Sequence, residues 1–484
     1  MLIRRNPILL IRELPVRVKV LFAFFICSFL QKGISIVTTP IFTRLLSAEA
    51  YGRFNVFNAW FGIITIIVTL NLFYGVYTQG LVKYKQEQAM FSSSLQGLTL
   101  CLVLGWTVIY GLGWQFWNHL FNLSTSQMLL MLVMIWTTAV FSFWSAEQRV
   151  QLKYKRLVIV TILVSLGKPL VGVLFVTGMA DKVTARILGI ALVELIGYTG
   201  LFVCQMYRGG QFFSKRFWRR AMVFNIPLLP HFLSQLVLSG ADRIMIERLV
   251  DTKSAGIYSL AYSIAQIMLM VNIALQQTIN PWIYEKIKTQ SVENIAPVGY
   301  IAMLAIISMN IVLMAVAPEI VSLFAPPTYH NAIWIIPPVA LSSLFVFAYD
   351  LFAMFELYYE RTAFITIASV CAAILNIGLN LLLIPIFGYY VAGYTTLICY
   401  ILYAIYHYLM MQRICRQKLK TTPYNTRVLV MFASGFIMIG ILLLTTYSLP
   451  LVRYSIIVGL AMLIVCNRKS LIKSAKLLLS VRLG

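Results

Sequence analysis

Several ionisable side chains of this chain lie inside long apolar runs. Lys32, Lys168, Glu194 and His231 each fall well inside a run long enough to form a membrane-spanning helix, and Asp350 falls near the end of another. A rise of about 1.5 Å per residue places Lys168 and Glu194 near the middle of such a helix. An ionisable group at mid-bilayer costs at least about 2.5–3.5 kcal/mol, so each of these residues is a candidate for function.

In the first half of the chain, two cations (Lys32 and Lys168) and one anion (Glu194) are predicted to lie within the membrane. This surplus of positive charge favours an anionic ligand. The ammonium groups of Lys32 and Lys168 are suited to compensate a diphosphate head group. Two interpretations stay open for Lys168 and Glu194: an ion pair that ties two helices together, or a part of the substrate-binding cavity. His231 is interpreted as a hydrogen-bonded interior histidine, with proton coupling or ligand contact as alternatives. Asp350 is interpreted as an interfacial residue.

Charges also stand at the predicted outer ends of two spans. Arg44 follows the first span, and Asp242 and Arg243 follow the seventh, at equivalent places in the two halves of the chain. Arg44 is a candidate for the cavity or for an outer gate, and Asp242 and Arg243 are gate candidates; solvated loop charge is the alternative. Polar amides inside other spans are helix-joining groups or a sugar-binding wall: Gln266, Asn272, Gln276, Gln277, Asn376 and Asn380.

Composition predicts the elements that carry these residues. Of 484 residues, 60% are hydrophobic and 11% charged, against about 25% charged in an ordinary soluble domain. This excludes a water-soluble enzyme, a coiled coil and a disordered chain. Fourteen apolar runs of spanning length predict an all-α polytopic membrane protein, because backbone groups in lipid need internal hydrogen-bond partners. The runs fall at about 18–42, 54–78, 93–114, 127–146, 157–179, 186–206, 222–240, 255–281, 296–316, 332–355, 362–386, 390–411, 427–446 and 450–466.

Basic residues are distributed unevenly between the predicted loops. The net charge is +24. With the N-terminus in the cytoplasm, 29 of the 39 Lys and Arg residues fall on the inner side and 8 on the outer side. This positive-inside pattern predicts that both termini are cytoplasmic, and it explains the net charge without nucleic-acid binding. The first run is predicted to remain as a span instead of being removed as a signal peptide, and the seven cysteines are predicted to form no disulfide framework.

The chain contains an internal repeat. RLLSAEAYGRFNVF (44–57) aligns with RLVDTKSAGIYSLA (248–261) at a shift of 204 residues. Each copy links the first two spans of a six-helix block, and an even number of helices per block makes the repeats parallel in the membrane. The prediction is an N-terminal six-helix lobe (1–206), a C-terminal six-helix lobe (207–411), and helices 13 and 14 with a cytoplasmic tail (412–484). Repeats of this kind are typical of transporters with a substrate site between the lobes.

Motifs for other chemistry are missing from the sequence. No Walker A loop indicates a nucleotide site, and no HExxH, CxxC or GxSxG motif indicates a metal or hydrolase site. We therefore expect no enzyme activity, no cofactor and no metal.

Three stretches resemble segments of the bacterial polysaccharide transporter family, which includes the O-antigen and capsular repeat-unit flippases. They are TPIFTRLLSAEAYGRFNVF (39–57), SGADRIMIERLVDTKSAGIYSLAYSIA (239–265) and NIGLNLLLIPIFGYYVAGYTTLICY (376–400). The resemblance places the chain in the superfamily of multidrug, oligosaccharidyl-lipid and polysaccharide exporters. The charge cluster that the lipid II flippases carry early in the first helix is missing here, which argues against a peptidoglycan precursor as cargo.

The resemblance implies two six-helix lobes in a V around a central cavity, in the bacterial inner membrane. It also implies a polyprenyl-diphosphate-linked oligosaccharide as substrate, held by cavity cations, for which Lys32 and Lys168 are the candidates here. Helices 13 and 14 are expected to shelter the lipid tail, and membrane lipids and the polysaccharide polymerase machinery are the expected partners. The sequence thus predicts a flippase that works by alternating access in lipopolysaccharide or capsule synthesis. The alternatives are a multidrug or cation antiporter of the same superfamily and, less favoured, a membrane glycan polymerase or ligase.

Overall fold

The computed structural model describes the backbone of residues 16–466 and the side chains of residues 27, 29–463, 465 and 466. Within this part the chain forms eighteen α-helices, three short 3-10 helices and no β-strand. The predicted all-α polytopic fold is confirmed. The basic segment before residue 16 and the predicted cytoplasmic tail after residue 466 lie outside the described residues.

The helices are numbered here in chain order. The first ten are α1 (Val16–Leu45), α2 (Ala48–Thr69), α3 (Val76–Lys83), α4 (Gln88–Leu112), α5 (Trp114–Phe121), α6 (Thr125–Val150), α7 (Tyr154–Gly178), α8 (Lys182–Gly209), α9 (Lys215–Asn225) and α10 (Leu229–Leu249). The others are α11 (Thr252–Lys288), α12 (Ile295–Ala315), α13 (Ala317–Phe324), α14 (Ile336–Tyr358), α15 (Thr362–Phe387), α16 (Val391–Lys418), α17 (Thr426–Thr445) and α18 (Pro450–Cys466).

Twelve helical stretches of the described residues are long and apolar enough to cross a membrane. One of them, Lys215–Leu249, joins α9 to α10 through the 3-10 turn Ile226–Leu228. The 30-residue α1 and the 17-residue α18 lie on the first and last predicted spans. Every predicted span therefore coincides with helix. The second is shorter than predicted, because α2 ends at Thr69 and the next two residues adopt left-handed backbone conformations.

The helix boundaries follow the internal repeat. At the shift of 204 residues, α1 and α10 end at equivalent positions, and α2 and α11 begin at equivalent positions. The equivalent residues Ser47 and Asp251 both cap the helix that follows. The Ser47 hydroxyl accepts a hydrogen bond from the Ala50 N–H at 3.1 Å, and the Asp251 carboxylate accepts one from the Ser254 N–H at 2.7 Å. Both caps satisfy backbone donors that a helix start leaves free.

Contacts divide the chain into two compact units, residues 1–233 and 234–484. Within the first unit, α8 packs against α2, α4, α6 and α7. Within the second, α14 packs against α11, α12, α15, α16 and α17, and α18 packs against α12. The last two helices thus belong to the second unit. The predicted division at residues 206 and 411 stays a prediction.

Glycine allows α7 and α8 to approach each other closely. A Cβ atom added to Gly189 of α8 would lie 2.9 Å from the Cα of Gly172 on α7. A Cβ atom on Gly172 would in turn lie 3.2 Å from the Phe42 ring of α1. Helices in lipid associate through close packing, which small residues permit. This contact sets α1, α7 and α8 side by side, and these helices carry Lys32, Lys168 and Glu194.

Candidate functional site

Lys168 and Glu194 form an ion pair between α7 and α8. The Lys168 Nζ lies 2.6 Å from the Glu194 Oε1, and the Thr137 hydroxyl on α6 donates to the Glu194 Oε2 at 2.7 Å. The Glu194 side chain is 5% exposed, whereas that of Lys168 is 32% exposed. Of the two interpretations of these residues, the structure contains the helix-joining ion pair. Their role in substrate binding stays a prediction.

Lys32 has a different environment. Its side chain is exposed and makes no hydrogen bond or ion pair with the residues that the structure describes. The next residue, Gly33, lines an apolar groove of about 500 Å³ between α1 and α7, and Pro169, which follows Lys168, lines the same groove. Each lysine thus precedes a residue of the groove wall. An ammonium group without a carboxylate partner, beside an apolar surface, is suited to an anionic amphiphile.

Arg44 and His231 both lie near helix ends. Arg44 is exposed in the last turn of α1, and its Nη1 donates to the Pro40 carbonyl oxygen at 3.0 Å. His231 is half-buried in the first turn of α10, with its ring centroid 5.8 Å from that of Phe232. The 3-10 turn Ile226–Leu228 precedes α10, so His231 lies at the start of this α-helix, within the helical stretch Lys215–Leu249. The functional roles of both residues stay predictions.

Asp242 lies in a buried hydrogen-bond network of the second unit. It is 1% exposed and accepts hydrogen bonds from the Tyr258 hydroxyl at 2.6 Å, the Thr396 hydroxyl at 2.9 Å and the Asn380 amide at 2.8 Å. The interpretation of Asp242 as a solvated loop charge is wrong, because α10 continues to Leu249 and buries it. The network joins α10, α11, α15 and α16.

Arg243 makes its own contacts outside these hydrogen bonds. Its Nη1 donates to the Ser239 carbonyl oxygen at 3.3 Å, and its guanidinium carbon lies 4.4 Å from the centroid of the Tyr262 ring. Among the described residues it forms no ion pair with Asp242. A gate role for Asp242 and Arg243 stays a prediction. In this structure the two side chains bind different partners and not each other.

The polar amides of the second unit join helices. The Asn272 amide donates to the Ser343 carbonyl oxygen at 2.7 Å, and Asn376 donates to the Thr396 hydroxyl at 3.2 Å. Asn376 and Asn380 are fully buried. Gln276 of α11 donates to Asp350 of α14, and this hydrogen bond joins the two helices. These contacts favour the helix-joining interpretation over a sugar-binding wall for the buried members of the set.

Two buried carboxylates were not singled out from the sequence. Glu147 accepts a hydrogen bond from Gln205 at 2.6 Å. The Glu356 Oε1 lies 2.6 Å from the His407 Nδ1, and both side chains are 0% exposed. Both glutamates fall near the ends of predicted spans, where a charge ordinarily reaches water. Their partners, Gln205 and His407, lie inside apolar runs, and polar residues in that context were the sequence signal that could have identified these contacts.

No group of three or more His, Cys, Asp or Glu in residues 16–466 is placed to hold a metal ion.

Comparison with known proteins gives one family match and several similar folds. The sequence profile of the family described as "Polysaccharide biosynthesis protein" matches residues 18–287. None of the curated proteins compared with the chain matches it.

Three solved structures illustrate the similarity of fold. The lipid II flippase MurJ, in an inward closed conformation, has a TM-score of 0.70 at 13% identity, over 92% of this chain and 99% of that one. An inward-facing multidrug resistance MATE family transporter of the MOP superfamily has a TM-score of 0.63 at 13% identity, over 81% and 96% of the two chains. A MOP superfamily transporter from Pyrococcus furiosus has a TM-score of 0.53 at 13% identity, over 84% and 96%. At these identities the likeness concerns the fold alone.

Proposed function

Since this chain belongs to the polysaccharide biosynthesis protein family, within the superfamily of multidrug, oligosaccharidyl-lipid and polysaccharide exporters, we propose that it is a flippase. Its substrate is a polyprenyl-diphosphate-linked oligosaccharide repeat unit. The protein moves this unit from the cytoplasmic to the outer leaflet of the bacterial inner membrane, for O-antigen or capsule synthesis, and both of its termini are cytoplasmic.

Lys32 is the observation that carries the proposal. An exposed ammonium group on a spanning helix, without a partner among the described residues, is costly in lipid and is stabilised when an anion binds. A diphosphate supplies that anion. A lipophilic cation, the usual cargo of a multidrug antiporter, would be repelled by the same group.

The mechanism follows from the polarity of the substrate. The sugars and the diphosphate cannot cross lipid, so the protein provides a hydrated cationic path for them while the prenyl chain stays in the bilayer. Within the translocation path, Lys32 is the first residue to bind the diphosphate. Lys168 can then exchange its contact with Glu194 for a phosphate oxygen, because a third of its side chain is already accessible. Alternating access moves the bound head group across, with Arg44, His231, Asp242 and Arg243 as the remaining candidates for the cavity and the gate.

Deletion of the gene in its host tests this function against the antiporter alternative. We expect the deletion strain to lose surface polysaccharide, to recover it with the wild-type gene, and to keep an unchanged tolerance to cationic drugs. Normal surface polysaccharide in a strain without a second flippase, together with raised drug sensitivity, would overturn the proposal in favour of the antiporter.

A further inference from the structure

A cavity of about 690 Å³ lies at one end of the first unit, where α6 passes into α7 and α8 ends. Its wall includes the loop between α6 and α7, which the positive-inside pattern assigns to the cytoplasmic side. The candidate residues discussed above do not line it. The cavity is therefore separate from the proposed translocation path.

Four basic side chains converge on this cavity. Lys153, Lys155, Arg156 and Arg208 line it, and no Asp or Glu does. All four are exposed, and none makes a side-chain hydrogen bond or an ion pair with the residues that the structure describes. Like charges placed together repel one another, and a polyvalent anion relieves that repulsion.

The backbone adds to the positive potential. α6 ends at Val150, Leu152 adopts a left-handed conformation with φ of 58°, and α7 begins directly after Lys153. The start of α7 has no side-chain cap, so its first N–H groups are available to a ligand. The N-terminus of a 25-residue helix attracts phosphate through these groups and through the helix dipole.

A buried amide also faces the cavity. Gln148 is 3% exposed, it lines the cavity, and its side chain makes no hydrogen bond to the described residues. Neither amide atom of Gln148 is among the fully enclosed, unpaired polar atoms of the described residues, so the amide is accessible to a ligand in the cavity. A phosphate or sugar oxygen in the cavity would give the Gln148 amide its missing partner.

Much of the remaining wall is apolar, and part of it is exposed. Ile159 of α7 is 57% exposed, and Leu152 is 41% exposed despite the strain of its backbone. Leu201 of α8 lines the same wall. A soluble anion gains nothing from these side chains, whereas an amphiphile buries its chain against them.

We propose that this cavity is the cytoplasmic docking site for the diphosphate of the lipid-linked substrate before translocation, with the first prenyl units along Ile159 and Leu201. This inference rests on the proposed function. A diphosphate diester carries two negative charges, which matches four cations and a helix N-terminus better than the single charge of a phospholipid phosphodiester.

The experiment uses the full-length protein in phosphatidylcholine nanodiscs. Binding of undecaprenyl diphosphate is measured by native mass spectrometry, in competition with phosphatidylglycerol. We expect the Lys155→Gln/Arg156→Gln variant to bind undecaprenyl diphosphate about tenfold more weakly, because charge-assisted hydrogen bonds are lost. The matched control is Lys83→Gln/Lys85→Gln, which removes two exposed basic residues from another predicted cytoplasmic loop. It is expected to bind within about twofold of wild type.

The outcomes separate this inference from the proposed function. Undiminished binding by the variant, with weakened binding by Lys32→Ala, would overturn the docking site and leave the flippase intact. Equal displacement by phosphatidylglycerol would assign the cavity to bulk anionic lipid and also overturn it. Failure of the wild-type protein to bind undecaprenyl diphosphate would count against the flippase itself. If the double variant does not elute as a monodisperse protein, Arg208→Gln, on a different helix, takes its place with the same expected loss.

Discussion

The ion pair between Lys168 and Glu194 shows how two ionisable residues are retained in apolar helices. Each charge alone would be costly in lipid, and together they satisfy one another while Thr137 satisfies the second carboxylate oxygen. The pair also holds α7 against α8. The pair can be structural and also take part in substrate binding only if Lys168 can exchange Glu194 for a phosphate. That exchange requires that α7 and α8 stay in place without the ion pair.

We expect Glu194→Gln to lower the stability of the protein in detergent by about 2 kcal/mol. Removal of one partner of a buried pair costs about 3–5 kcal/mol, and the exposed third of Lys168 reduces that cost. The double variant Lys168→Met/Glu194→Gln is expected to recover most of the loss. Thermal unfolding of the single and double variants measures this coupling, with the exposed Glu49→Gln as a control. Strictly additive losses would show that the two side chains do not interact.

The sequence was sufficient to find these ionisable residues but not to pair them. Apolar context alone identified Lys32, Lys168 and Glu194. Which side chains meet depends on the rotation of each helix about its axis, and that rotation is set by packing such as the Gly189 contact. The sequence also left open a solvated loop position for the gate candidate Asp242, whereas the helix that carries it runs seven residues further and buries it.

The close packing of α7 against α8 depends on a glycine at position 189. We expect Gly189→Ala to destabilise the protein by about 1–3 kcal/mol, because the added methyl group would lie 2.9 Å from the backbone of Gly172 and force α7 and α8 apart. Gly200→Ala, on the same helix, is the control, since no atom lies within 4 Å of the added methyl group. Thermal unfolding and flipping activity of the two variants are compared. Equal midpoints would refute a close helix contact at Gly189.

An ion pair attaches α18 to α13. Two N–H groups of Arg453 donate to Glu319 of α13, at 2.9 and 2.8 Å. The Arg453 guanidinium thereby holds the pKa of the Glu319 carboxyl below its usual value. Because the pKa is lowered by folding, this contact stabilises the protein above the usual pKa of about 4.3 and is lost as the pH falls through the lowered value.

We therefore expect wild type to unfold at a higher temperature than Glu319→Gln at pH 7. The two midpoints are expected to converge as the pH falls from the usual glutamate pKa through the lowered pKa of Glu319, because the carboxyl then becomes protonated in the folded protein. Unfolding curves recorded at several pH values check this. A difference that persists unchanged at pH 3 would assign the stabilisation to packing and not to charge.

Element positions were predictable because lipid imposes one rule on every span. A backbone in lipid must satisfy its hydrogen bonds internally, and an apolar run of about 20 residues does so as an α-helix, so apolar run length alone located the predicted spans. Breaks inside apolar sequence were not predictable in this way. Hydropathy does not register the turn between α2 and α3 or the 3-10 turn before α10, because the residues there are as apolar as the helices they separate.

The parallel repeat makes a prediction about the whole molecule. Glu49 and Lys253 are repeat-equivalent, exposed, and near the starts of α2 and α11. In a variant without the seven native cysteines, we expect Glu49→Cys and Lys253→Cys to react equally with a membrane-impermeant thiol reagent added to whole cells. Lys85→Cys, in a predicted inner loop, is expected to react only after lysis. Labelling of Glu49→Cys and Lys253→Cys from opposite sides would mean that the repeats are antiparallel.

The class of the molecule was thus available from composition, periodicity and the repeat, and its family from three short motifs. The cargo was not, because recognition of the proposed sugar chain would be spread over many side chains whose orientation the sequence does not specify. In the proposed function, the exposed ammonium group of Lys32 connects the fold to the cargo.

The most direct test of the account is the leaflet in which lipid-linked repeat units reside. Spheroplasts of the deletion strain, carrying wild type, Lys32→Ala or the control Lys253→Ala, are treated with a membrane-impermeant sugar-modifying reagent, and the lipid-linked units are extracted. With equal protein levels, we predict modified units with wild type and Lys253→Ala, and protected units with Lys32→Ala and with no protein. Modification to the same extent in all four strains would contradict the account.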